Sequence, residues 1–157
     1  RYSVRFHIWP EQPFQECDIH NHPWDMSGLV LNGSYEWPIY ILEHTQENNS
    51  CFSLYECHYF KDYSGHLFCK NGNVKIIEIG KHNLQQGDIF RLLSTQYHSV
   101  KKNNSMLADS IVITGYSEVL NADVISSREI TCNTDMYNTS VDSSILREKL
   151  LSFMDRS

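Results

Sequence analysis

What this chain lacks narrows its function before any motif is considered. Basic residues are few, 13 Lys and Arg against 19 Asp and Glu for a formal net charge of -6, and Lys101-Lys102 is their one adjacent pair. A nucleic-acid footprint needs clustered cations to displace counterions from phosphates, so no nucleic-acid partner is expected. No apolar run approaches the roughly eighteen residues that cross a bilayer, and the opening Arg1-Tyr2-Ser3-Val4-Arg5 has no signal-peptide apolar region. The expectation is a soluble, cytoplasmic protein with no membrane partner. The 5 cysteines, Cys17, Cys51, Cys57, Cys69 and Cys132, are odd in number and contain no Cys-x-x-Cys pair. That argues against a disulfide framework and a four-sulfur zinc site, and it suits a reducing compartment. Internal repeats and low-complexity tracts are also missing, so a solenoid is not indicated.

What is present reads as strand. With 157 residues, 41% hydrophobic and 20% charged, the chain has enough apolar content for a single core and one domain. Val4, Phe6 and Ile8 alternate with Arg5 and His7, and 35–44, 51–60, 66–70, 74–82, 89–92 and 110–114 are short stretches rich in branched and aromatic residues. Asn71-Gly72-Asn73 predicts a tight hairpin, because Asn and Gly tolerate positive backbone angles. Residues 117–141 are polar and rich in Asn and Ser, and are expected to be irregular. One helix is predicted over 142–155, capped by Asp142 or Ser143, with Ile145, Leu146, Leu150 and Phe153 as an apolar stripe. Many short strands and a single helix imply an antiparallel sandwich or barrel over residues 1–115 with the helix outside it.

The chemistry begins at His20-Asn21-His22. Side chains alternate along a strand, so His20 and His22 point the same way and can share one cation through imidazole nitrogens, with a third ligand from another strand. A single His-x-His pair is more often structural. Asp25 is a further candidate ligand, although its parity on a regular strand opposes that of His22, and Pro23 can instead end the strand and leave Asp25 to a turn or to orienting a ligand.

Two stretches resemble the signature motifs of the cupin (RmlC-like) superfamily. In the first, His20, His22 and the closing Gly33 fall in register; in the second, Gly87 and His98 have the required separation. The position of the motif's Glu is occupied by Met26 or Ser27, with Asp25 one place early, and Leu93 and Thr95 replace its Pro and Gly. The resemblance spans about residues 3–115. It implies an all-β fold, an antiparallel double-stranded β-helix (the cupin jelly-roll barrel), here with a C-terminal α-helix in one 157-residue domain. It also implies His98 as the third ligand to one divalent metal ion. Cupin sites with three His and Glu resemble manganese enzymes of the oxalate or germin type, whereas sites with three His alone resemble thiol dioxygenases using ferrous iron. Residues 20–34, with His-Asn-His-Pro, Met26 and Leu-Asn-Gly-Ser, are similar to the first motif of the cysteamine and N-terminal-cysteine dioxygenase group.

Ferrous iron is therefore the first expectation, with nickel, zinc or manganese as alternatives, since availability decides between them more than ligand type does. Three neutral imidazoles leave coordination positions open to water, dioxygen or a substrate. Three functional classes follow: a metal-dependent oxygenase acting on a small polar substrate, an isomerase or epimerase of a sugar or small carbonyl compound, and a non-catalytic small-molecule-binding module. Trp24, Tyr35, Trp37, Tyr40 and Tyr97 are pocket candidates or core, Arg91 a candidate anion anchor or a solvated residue, and His7, His44, His58, His66 and His82 ordinary histidines. Homodimerisation through the first strand and the terminal helix is also expected.

Overall fold

The computed structural model describes residues 2–9, 18–46, 52–59, 66–102, 108–116 and 121–130, together with Arg147 and Leu151. Every element in it is a strand: β1 (Ser3–Trp9), β2 (Ile19–His20), β3 (Met26–Asn32), β4 (Ser34–Thr45), β5 (Phe52–Tyr59), β6 (His66–Gln85), β7 (Ile89–Leu92), β8 (Tyr97–His98), β9 (Lys101–Lys102), β10 (Ala108–Thr114) and β11 (Asn121–Ser126). They form two antiparallel sheets, one of order β1-β10-β3-β7 and one of order β6-β5-β11-β2-β8-β4-β9. The fold is thus all-β and antiparallel, as expected. In the larger sheet β6 pairs with β5 along its first half and with β4 along its second, so the pairings close on themselves. Closure leaves β5 and β6 no open edge between them.

The alternation of each strand sets the cores. Met26 and Val30 of β3, Phe90 and Leu92 of β7, and Ala108 and Val112 of β10 meet Tyr35, Trp37 and Ile39 of β4 in one buried cluster between the sheets. On the far face of the larger sheet, Leu54, Val74 and Ile125 form a second cluster with Ile19, Leu42, Phe52, Ile76 and Tyr97 against it. Gly28 lies where the first cluster is tightest. It pairs with Phe90 across β3 and β7, and a Cβ there would overlap the Phe90 ring and come 2.8 Å from the Ile111 carbonyl oxygen. Gly28→Ala should destabilise the fold by about 1–3 kcal/mol through overpacking. A lowered urea midpoint at constant m-value is the expected result, and an unchanged midpoint contradicts it.

Two expectations need correction. Asn71-Gly72-Asn73 is not a hairpin but the inside of β6. Ser53 pairs with Asn73 and Tyr55 with Lys70, so Leu54 opposes two residues at a bulge, and the positive φ that glycine allows, 108° at Gly72, here redirects a strand. Residues 117–141 are not wholly irregular, because β11 lies between β5 and β2 at the centre of the larger sheet. Its polar residues are satisfied from neighbouring strands: the Asn121 side chain by His58 and Glu56, and Asp123 by Tyr97. In β1 the alternating apolar residues Val4 and Phe6 are turned outward. Val4 is 60% and Phe6 39% exposed, while His7 on the opposite parity is half-buried. Apart from Arg147 and Leu151, the helix expected over 142–155 lies outside the described residues. No helix among the described residues is long and apolar enough to cross a membrane.

Candidate metal centre

Backbone pairing places the histidines. His20 sits directly opposite His98 where β2 meets β8, and His98 is flanked on its other side by Ile39 of β4. β2 ends at His20, so strand geometry alone does not carry the parity to His22. Asn21 does: its backbone N–H donates to the Asp123 carbonyl at 3.1 Å, and its side-chain oxygen accepts from the Asp123 N–H at 2.6 Å. With Asn21 held against β11, His20 and His22 stay on one side. Their ring centroids are 4.8 Å apart, and those of His98 lie 4.5 Å from His20 and 5.1 Å from His22. One nitrogen from each of the three lies within 4.8 Å of the others, so they could hold one metal ion.

The hydrogen bonds favour a particular tautomer. His20 Nδ1 lies 2.8 Å from the Asp18 carbonyl oxygen and His98 Nδ1 3.4 Å from the Gln96 carbonyl oxygen. A carbonyl only accepts, so the tautomer that satisfies these contacts has the proton on Nδ1 and the lone pair on Nε2, and the His98 ring is also hydrogen-bonded to the His20 carbonyl. Burial keeps the rings neutral. It pushes His22 down to about 2, helped by the charges of His20, His98, His7 and Arg5, and it pushes His98 down to about 3, helped by His20. His20 is lowered by burial against the opposing Asp18 carbonyl bond. Neutral imidazoles are the donor set a divalent ion requires.

Aromatic side chains wall the group. Trp24 stacks on His22 at 6.2 Å, and Trp37 meets His98 edge-on at 5.0 Å and Phe90 at 4.9 Å. Tyr35 is also buried, whereas Tyr97 belongs to the far face of its sheet, where its hydroxyl donates to Asp123 at 2.5 Å. Tyr40, paired with Tyr97, shares that face and contacts the Ser99 hydroxyl at 3.1 Å.

Asp25 is not brought into the group. Its carboxylate is outside, accepting the Ser94 N–H at 2.8 Å and lying 3.5 Å from Arg91, and the Ser94 bond above all holds it below the usual carboxylate value. Arg91 is correspondingly an exposed ion-pair partner. Met26 is buried in the core and Ser27 is exposed, so neither position supplies a carboxylate. Sequence reasoning passed over His7 and Arg5. Both lie close enough for their charges to depress His22, and Arg5 stands over the Trp24 ring with Cζ 4.6 Å from its centroid. Their signal was the shared parity on β1, which the apolar alternation obscured.

No family model matches the chain, and no curated protein matches it. Among solved structures, a hydroquinone 1,2-dioxygenase from Sphingomonas sp. TTNP3 with 4-hydroxybenzoate bound is similar at 12% identity and a TM-score of 0.43, over 75% of this chain and 61% of that one. Hydroquinone 1,2-dioxygenase PnpCD in complex with Cd2+ and 4-hydroxybenzonitrile is similar at 11% identity and a TM-score of 0.42, over 75% of this chain and 60% of that one. The chain therefore spans about three fifths of the length of either structure.

Proposed function

We propose that His20, His22 and His98 hold one divalent metal ion, iron(II) in the working protein, and that the protein is an oxygenase acting on a small polar substrate. The observation that carries this reading is the convergence of three neutral histidines, two with Nδ1 committed to carbonyls, and no carboxylate in the group among the described residues. Iron held by three neutral imidazoles supplies one-electron chemistry with dioxygen and coordination positions for a substrate. The chain's own residues orient and dry the site. The Asp18 and Gln96 carbonyls fix two of the rings, and Trp24, Trp37 and Phe90 exclude water around them.

The alternative, an isomerase using a histidine as base, is disfavoured by the same burial. A general base works best with a pKa near the operating pH, and His22 near 2 and His98 near 3 are poor proton acceptors at neutrality. Iron-loaded protein should consume oxygen in the presence of a thiol or another small chelating compound, and His98→Ala should abolish the consumption. An oxygen electrode decides it. Turnover of a sugar or carbonyl substrate under strict anaerobiosis without iron would replace the oxygenase with the isomerase, and ligand-induced stabilisation with no product would replace it with a binding module.

A further inference from the structure

The His22 and His98 ring centroids are 5.1 Å apart, yet among the described residues no backbone pairing joins these two. β2 and β8 have two residues each and meet at the single pair His20–His98, so the strands alone do not fix where His22 stands against His98. The ties lie on the far face of the sheet. One step along from that pair, antiparallel register brings Asn21 opposite Tyr97, and Asp123 of β11 flanks Asn21 on its other side.

A regular antiparallel pair exchanges two backbone bonds. Here the Asn21 N–H makes one, to the Asp123 carbonyl at 3.1 Å, while the Asn21 side-chain oxygen takes the other from the Asp123 N–H at 2.6 Å. The side chain thus stands in for its own carbonyl, and the backbone can leave β2 toward His22 with both Asp123 groups satisfied. Asp123 still has its carboxylate. This accepts the Tyr97 hydroxyl at 2.5 Å, a charge-assisted bond that passes across the end of β2 and ties β11 to β8 beside His98. The Asp18 and Gln96 carbonyls cannot do this, since each touches one ring.

Resting on the metal reading above, we infer that Asp123 is a positioning residue of the metal centre, which holds the His22 arm through Asn21 and the His98 arm through Tyr97. Without the Tyr97 bond, β8 can shift against the segment that carries His22. Only the fraction of molecules with all three rings in place then binds the ion at full strength.

The test is Co2+ binding by the full chain, followed by its d–d absorption, which reports ligand geometry without turnover. Tyr97→Phe removes the hydroxyl and leaves the ring in its apolar cluster, and Asp123→Ala removes the carboxylate and leaves both backbone bonds to Asn21. Each should shift the d–d bands and weaken Co2+ about tenfold or more, the size expected for a group that orients a ligand. The double variant should bind no worse than the weaker single, because both substitutions break one bond. Strand-type circular dichroism shows that a variant is folded; should Asp123→Ala fail this, Tyr97→Phe decides alone. Wild-type affinity or unshifted bands in folded Tyr97→Phe, or additive losses in the double variant, overturn this inference and leave the metal reading standing. Wild-type protein that binds no Co2+ overturns both.

Discussion

Protein carrying His98→Ala should come through dialysis without its metal ion, where wild type retains one equivalent per chain. His98 is 2% exposed, directly paired with His20, and the only member of the group from β8. Its removal leaves two imidazoles separated by one residue, which is a weak chelate. Losing a residue that merely orients a ligand costs about 10–100-fold in metal affinity, so losing the ligand itself should cost more. The His20→Ala and His22→Ala double substitution should have the same effect from the other side. In contrast, His58→Ala should keep its metal, because His58 is engaged with Asn121 and Glu56 on another part of the sheet. Elemental analysis of protein purified without a nickel column reads all three. Stoichiometric metal in the double variant, with a strand-type circular dichroism spectrum retained, would show the assignment to be wrong.

The legibility of this site in the sequence was uneven, and the reasons are physical. Alternation placed His20 and His22 together, yet the parity past β2 is maintained by the two Asn21–Asp123 hydrogen bonds rather than by a continuing strand. His98 came from motif spacing. Its position opposite His20 is a tertiary pairing that no local pattern encodes. Local signals failed where one preference serves two structures: the positive φ of Gly72 suits a hairpin and a bulge equally, and the bulge won because β6 pairs with β5 before it and β4 after it. β11 was invisible because only Val124 and Ile125 look like strand, and the partners of Asn121 and Asp123 come from β5, β8 and the residue after β2. On β1 the apolar alternation drew attention to Val4 and Phe6, which this edge strand leaves exposed. Arg5 and His7 were passed over beside them.

Burial of the same histidines makes the metal-free fold sensitive to mild acid. In the unfolded chain a histidine titrates near 6.5, whereas folded His22 and His98 accept protons only near 2 and 3. Below 6.5 the unfolded state therefore binds protons that the folded state refuses, and stability that is complete above 6.5 is lost progressively as pH falls toward 3. At pH 5.5 the two residues together should have removed about 2–3 kcal/mol relative to pH 7.5. His20 and His7, also lowered by burial, act in the same direction. Against a total stability of about 5–15 kcal/mol this is a large fraction. Asp25 does not confuse the reading, because its carboxyl is lowered from an already acidic value and titrates well below this window. Urea unfolding in a chelator at pH 7.5, 6.5 and 5.5 should show a falling midpoint with constant slope, and substituting His22 and His98 together by Asn should remove the share of the dependence that these two carry, leaving that of His20 and His7. A midpoint independent of pH across this range would mean that the rings are hydrated and ionise freely in the folded protein, which would remove the neutral donor set on which the metal reading depends.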